Sequence, residues 1–269
     1  MTQQISMSRF FSLLRWLSTY ESRKLWNLFL IAIVFFAGYE TYAMYYNIDA
    51  RASEGVPLSA GVAMRMIEKT NGICLLALTL FMCIGATFAF TTLHRRHAGR
   101  QLLMLPAPNV EKFLALWVVY VPVLFVCLVL AFVVGDLMRM LILPLLTEQG
   151  HLPSSIPSFF SRMWYWIALR ETVPANLQFM MESWTLILTI HALSLFCSVL
   201  AGYAGWLLMG VTVYVGAYLF INSYGQASWH VPFLLVLAVV LLLMAYRLFR
   251  SYTPSQLLNM LRFHGIQFR

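Results

Sequence analysis

Charge is what this chain has least of. Asp, Glu, Lys and Arg make up 10% of its 269 residues, where a soluble globular domain carries about 25%. Too little polar side-chain surface remains to cover a soluble particle of that size. With 61% hydrophobic residues, the chain reads as an integral membrane protein. Cysteine is sparse as well. Cys74, Cys83, Cys127 and Cys197 each fall in or beside an apolar run, and no C-x-x-C pair occurs. This gives no support to a disulfide or metal framework and leaves four small buried hydrophobes. Segments that alternate apolar and polar residues at strand length are missing, which excludes a membrane β-barrel.

The motifs of nucleotide and hydrolytic chemistry are missing too. There is no G-x-x-x-x-G-K-[ST], no Rossmann glycine fingerprint, no H-E-x-x-H and no G-x-S-x-G. The chain therefore has no recognised means of hydrolysing ATP and is not expected to be an enzyme or to hold a cofactor. The N-terminus lacks the pattern of a cleavable signal: Arg9, Arg15, Glu21, Arg23 and Lys24 interrupt its apolar residues.

What is present is a series of long apolar runs. A spanning helix needs roughly 20 mostly apolar residues. Six runs qualify, at about 26–46, 72–93, 112–143, 184–202, 204–222 and 231–249. The expected fold is an all-α membrane domain of six spanning helices, with residues 1–269 forming one domain. Lys and Arg set its orientation. Twelve of the eighteen fall on the side of the N-terminus, including Arg95, Arg96, Arg100 and Lys112, and six on the other. Only Glu21 and Glu111 among the acids accompany the basic majority. Both termini are thus expected in the cytoplasm. The net charge of +8 is a topology signal, and no basic aromatic groove suggests nucleic acid.

The connecting segments carry structure of their own. In residues 5–25, Phe10, Leu13, Leu14 and Leu17 recur at helical spacing among charged residues, which suits an amphipathic helix lying in the interface. Residues 98–105, AGRQLLML, make a short cytoplasmic amphipathic helix that Pro106 and Pro108 end. Asn109 is the expected N-cap of the third span. Glu111 falls in its first turn, where the helix dipole favours a carboxylate. Residues 144–183 form the largest connection. Phe159, Phe160, Trp164, Tyr165 and Trp166 cluster there between prolines, so one or two short interfacial or re-entrant helices are expected. Glycines and alanines at 201–216 suggest a close helix-packing face.

Ionisable residues inside spans are the first functional suspects. Glu40 lies in YETYAMYY toward the outer end of the first span, where nearby tyrosines could bond it. His191 lies in the fourth span beside Thr189 and Ser194. Asp136 and Arg139 stand three apart and can pair on one helix face.

These features together resemble the membrane subunit of ABC-2 type transporters. LLMLPAPNVEKFLALW is similar to the L-L-P-A-S-x-x-E-K-F-L signature of small bacterial ABC-2 permease-like membrane proteins. It matches at Leu103, Leu105, Pro106, Ala107, Glu111, Lys112, Phe113 and Leu114, with Pro108 in place of a small hydroxyl residue. The resemblance implies an exporter permease that pairs with a second copy or a related permease and with two ATP-binding subunits. ATP and Mg would be held by those partners. The helix at 98–105 would be the coupling helix, with Arg95, Arg96, Arg100, Leu102, Leu103, Leu105, Pro106, Glu111 and Lys112 as its working residues. Two other readings stay open: a membrane anchor that kept the permease fold without transport, and a membrane-embedded enzyme. The enzyme requires at least two polar groups converging at one membrane depth.

Overall fold

The computed structural model describes residues 6–53, 58–91, 102, 104–148, 151–168, 174–201, 210 and 230–251. Among them the regular structure is helical throughout, with no strand. The first helix, α1, runs Met7–Ser53 without interruption for 47 residues, about 70 Å at 1.5 Å per residue. The interfacial helix at 5–25 and the span at 26–46 are therefore one helix. The reason is local: the stretch has no proline and one glycine, Gly38, so nothing stops a helix once started. Its buried stripe is Leu13, Leu17, Glu21, Leu25, Leu28, Ala32, Phe36, Glu40, Met44 and Ile48. Two carboxylates thus occupy positions that helical periodicity reserves for the core.

Helix α2, Ala60–Phe88, starts twelve residues ahead of the apolar run at 72–93. Arg65, Glu68 and Lys69 lower the hydropathy there but favour a helix. The carbonyl of Ser59 accepts the N–H of Val62 and of Ala63, both at 3.0 Å, at its start. Helix α3, Asn109–Val118, passes through a π-helical turn, Val119–Val123, into α4, Leu124–Leu146. Pro122 lies within the turn; it has no N–H to give, and the wider turn accommodates the gap. Asn109 is not the cap of α3. Pro108 occupies that position, at φ −58° and ψ 148°, with no side-chain hydrogen bond. Its fixed φ and extended ψ make the break, and its carbonyl accepts the Lys112 N–H at 3.2 Å. Within the 144–183 connection, α5 spans Ile156–Ala168. Helix α6 follows at Pro174–Ala201 and α7 at His230–Ser251. The fifth expected span, 204–222, lies outside the described residues.

The protein is a membrane protein. Four described helices are long and apolar enough to cross a bilayer: α1, α2, the joined Asn109–Leu146, and Leu234–Ser251 of α7. The apolar described stretch of α6, Leu188–Leu200, is shorter. Leu145 is 85% exposed and Val34 73%, as lipid-facing side chains are.

The chain divides into two compact units. The first comprises Met1–Glu21, Cys83–Val123 and Met181–Arg269; the second comprises Ser22–Met82 and Leu124–Met180. In the first, the rings of Phe90, Phe113, Tyr246 and Phe249 meet at centroid distances of 5.3 to 5.7 Å, and the Phe90 N–H donates to Ser198 Oγ at 2.9 Å. In the second, one cluster joins Met44, Ile48, Ala63, Met66, Ile67, Leu143 and Leu152. A second stack runs Phe36–Phe132–Phe159, at 5.6 and 3.8 Å. Helices α1 and α4 touch at Gly135, where an added Cβ would lie 2.8 Å from Phe36 Cβ and 3.0 Å from Ala37 N. Only glycine allows that approach.

Candidate functional site

Two groupings of charge sit where lipid-embedded proteins rarely place it. The first is in the second unit. Helix α1 contributes Glu40, α2 contributes Asn71 and Cys74, and α4 contributes Asp136 and Arg139 one turn apart. The segment before α5 contributes Ser154 and Ser155. Glu40, Asn71, Asp136, Arg139 and Ser155 are all completely buried.

Asp136 is filled with donors. Its Oδ1 accepts from Arg139 Nη2 at 2.7 Å, Arg139 Nε at 2.9 Å and the Ser155 hydroxyl at 2.7 Å. Its Oδ2 accepts from the Ser154 hydroxyl at 2.6 Å and the Ser155 N–H at 3.0 Å. Arg139 also donates through Nη2 to the Pro153 carbonyl at 2.9 Å. Glu40 is held far more loosely. Its nearest donors are Arg139 Nε at 3.5 Å, the Ser155 hydroxyl at 3.5 Å and the Cys74 thiol at 3.6 Å. A hydroxyl has one proton to give, and the shorter distance assigns that of Ser155 to Asp136. Two carboxylates therefore share one guanidinium unequally. Asn71 braces the arrangement by donating to the Ser155 carbonyl and to Ser158 Oγ. Arg139 Nη1 and Asn71 Oδ1 are buried without a partner among the described residues.

The pairing of Asp136 with Arg139 follows the three-residue spacing. The expected surroundings of Glu40 do not hold. Its position in the α1 stripe turns it inward, to Arg139, Ser155 and Cys74, and away from a hydrated tyrosine belt. Convergent polar groups, which a membrane enzyme requires, are therefore present. The lone pairs of Asp136 are taken by donors, and the Ser154 and Ser155 hydroxyls beside it donate to it. Among the described residues no group of three His, Cys, Asp or Glu is placed to hold a metal ion. His191 belongs to the first unit, and its buried Nε2 is without a partner among the described residues.

The second grouping, in the first unit, is the turn that begins α3. Glu111 is completely buried and Lys112 is 2% exposed. Oε1 of Glu111 accepts the Ser6 N–H at 2.8 Å and faces Arg9 Nη2 at 3.4 Å. Ser6 is the residue before α1, so one carboxylate sits at two helix N-termini, its own and that of α1. Both present unsatisfied N–H groups and positive dipole ends. Further along, the Tyr120 hydroxyl in the π turn donates to Glu21 Oε2 at 2.7 Å, and both residues are buried.

The residues expected to couple to a partner thus separate. Leu102, Glu111 and Lys112 are buried within the chain, at the turn that leads into α3. Leu105 is half-buried and Pro106 exposed. Met104 is 71% exposed and, among the described residues, is the large apolar side chain that this segment presents most; nothing in the sequence singled it out. Arg95, Arg96, Arg100 and Leu103 lie outside the described residues. Ser154, Ser155, Asn71 and Tyr120 also went unnoticed in sequence. The stripe that places Glu21 and Glu40 among leucines was the signal available for their partners. No protein-family model, no curated protein and no solved structure matches this chain.

Proposed function

We propose that the chain is the membrane-spanning permease subunit of an ABC-2 type exporter, which couples a separate ATP-binding subunit to movement of a substrate across the membrane. The observation that carries this reading is the clamp at Glu111. A connection that merely returned the chain to the bilayer would need neither a buried Glu–Lys pair of neighbours nor a bond to Ser6 across 105 positions. A coupling element needs both. It must be rigid, and it must be joined to the helices that it moves. Leu102 anchors the segment inside, Met104 faces out, and Glu111 ties its end to the beginning of α1. The basic cluster at 95–100 then lies beside the partner in the cytoplasm, with both termini on that side.

A second copy or a related permease covers part of the exposed apolar helix surface. The cargo is hydrophobic or amphiphilic, because the intramembrane charges are engaged with one another. An anchor without transport would share the clamp but not a path. The enzyme reading gains from the convergence of Glu40, Asp136 and Arg139, with Asp136 saturated by donors and Glu40 the more loosely held carboxylate.

The test is purification from native membranes in mild detergent, with the associated proteins identified. An ATP-binding subunit in the preparation supports the permease. Its absence from membranes in which the chain is intact removes the exporter reading.

A further inference from the structure

A cleft of about 460 Å³ lies in the second unit, between the ends of α1 and α2 nearest their connection. Its lining is unusual for a chain so poor in charge. Arg51 comes from α1, and Arg65 and Lys69 from α2. Tyr39, Tyr42 and Tyr46 complete the wall. None of the three cations forms an ion pair among the described residues. Within the lining there is no carboxylate; the Asn47 amide and the Thr70 hydroxyl donate to carbonyls of their own helices, which leaves ammonium, guanidinium and phenol as the donors turned to the cleft. Three cations brought together without an acid repel one another, which favours a counter-anion in the cleft. In the topology expected from the charge count, they are also three of only six Lys and Arg on the side away from the basic majority.

The cleft has a direction. On α2 the positions 65, 69, 73, 76 and 80 follow one another at three- and four-residue steps, so they share a face. The first two are the cations. Ile73, at the cleft wall, is 42% exposed, and Leu76 and Leu80 continue at 60% and 54%. On α1, Tyr42 and Tyr46 are exposed beside Arg51. A donor-rich head therefore opens onto an apolar stripe on a spanning helix. That is the shape of an amphiphile: anionic at one end, with acyl chains along the helix at the other. Tyrosines at such a boundary keep an apolar ring in lipid and a hydroxyl for the head group.

We infer that this cleft binds the phosphate of an anionic membrane phospholipid, with Arg51, Arg65 and Lys69 on the phosphate and the acyl chains along Ile73, Leu76 and Leu80. Arginine and lysine divide the work, a planar fork beside a point charge. The inference does not depend on the chain being an exporter.

Native mass spectrometry of the purified full-length protein tests it, with phosphatidylglycerol, phosphatidylcholine and soluble glycerol 3-phosphate as probes. Arg65→Gln/Lys69→Gln alters two exposed side chains and leaves the core untouched. Arg15→Gln/Arg23→Gln removes the same charge from exposed positions elsewhere on α1. The wild type and the second pair should retain phosphatidylglycerol over phosphatidylcholine, and glycerol 3-phosphate should not displace it. The first pair should weaken retention by about fivefold for each cation lost, the scale of one basic residue at an anionic surface. Equal loss in both double variants would overturn the site, since retention would then follow net charge alone. Displacement by glycerol 3-phosphate at the same concentration would overturn the lipid as occupant and leave a site for soluble phosphate esters.

Discussion

Glu111 accepts the backbone N–H of Ser6 at 2.8 Å, from 105 positions away in the chain. The same carboxylate lies in the first turn of α3 and beside Arg9. It therefore joins the beginning of one long helix to the beginning of another. Removing it should loosen both.

Glu111→Ala leaves the Ser6 N–H without its acceptor and takes a carboxylate from beside the Arg9 guanidinium. A hydrogen bond to a charged group contributes about 1.5 to 3 kcal/mol, and the variant should lose stability on that scale. Hydrogen exchange should quicken first in the opening turns of α1, residues 6–12. Glu111→Gln keeps one acceptor oxygen and should lose about half as much. Equal exchange in wild type and Glu111→Ala would show that the clamp carries nothing.

The unequal sharing of Arg139 gives a ranking. Asp136→Asn puts an amide N–H₂ where either the Ser155 N–H or the Arg139 guanidinium already donates. It also leaves the arginine buried with a weak partner, a change that typically costs about 3 to 5 kcal/mol. Glu40→Gln touches only contacts of 3.5 Å and longer, and it should cost roughly 1 kcal/mol or less. Unfolding midpoints in one detergent, followed by intrinsic fluorescence, measure both. A larger loss from Glu40→Gln would reverse the assignment of which carboxylate organises the cluster.

Two glycines of similar appearance should behave oppositely. Gly135→Ala drives a methyl against Phe36 Cβ and the backbone of Ala37, neither of which can move alone. Overpacking of this kind costs about 1 to 3 kcal/mol. Gly38→Ala meets nothing within 4 Å and gains up to about 1 kcal/mol of helix propensity. The same thermal measurement separates them, and a neutral Gly135→Ala would show that α1 and α4 are not in close contact there.

The sequence was legible where physics acts locally. Apolar length located α1, α2, the α3–α4 pair and α7, and three-residue spacing paired Asp136 with Arg139. It was least legible where the deciding partner is remote. Glu40 sits among Tyr39, Tyr42, Tyr45 and Tyr46, which suggests a wet boundary; its partner Arg139 is 99 positions away, and only the leucine stripe of α1 hints that it turns inward. Glu111 was legible as a helix-start carboxylate, but not as the acceptor for Ser6. Hydropathy divided residues 7–53 into two helices because five of their eight charged residues fall at 9–24, whereas the backbone has no breaker at the join. At Pro108, proline stereochemistry outweighed the capping preference of Asn109.

Met104 is where the proposed function can be tested most directly. A photoreactive amino acid placed at Met104, and in a second variant at the still more exposed Leu145, would be activated in native membranes. The account predicts a crosslink from position 104 to an ATP-binding subunit, changed in yield by ATP, and only lipid adducts from position 145. Lipid adducts alone from position 104, in a chain that is folded and inserted, would contradict it.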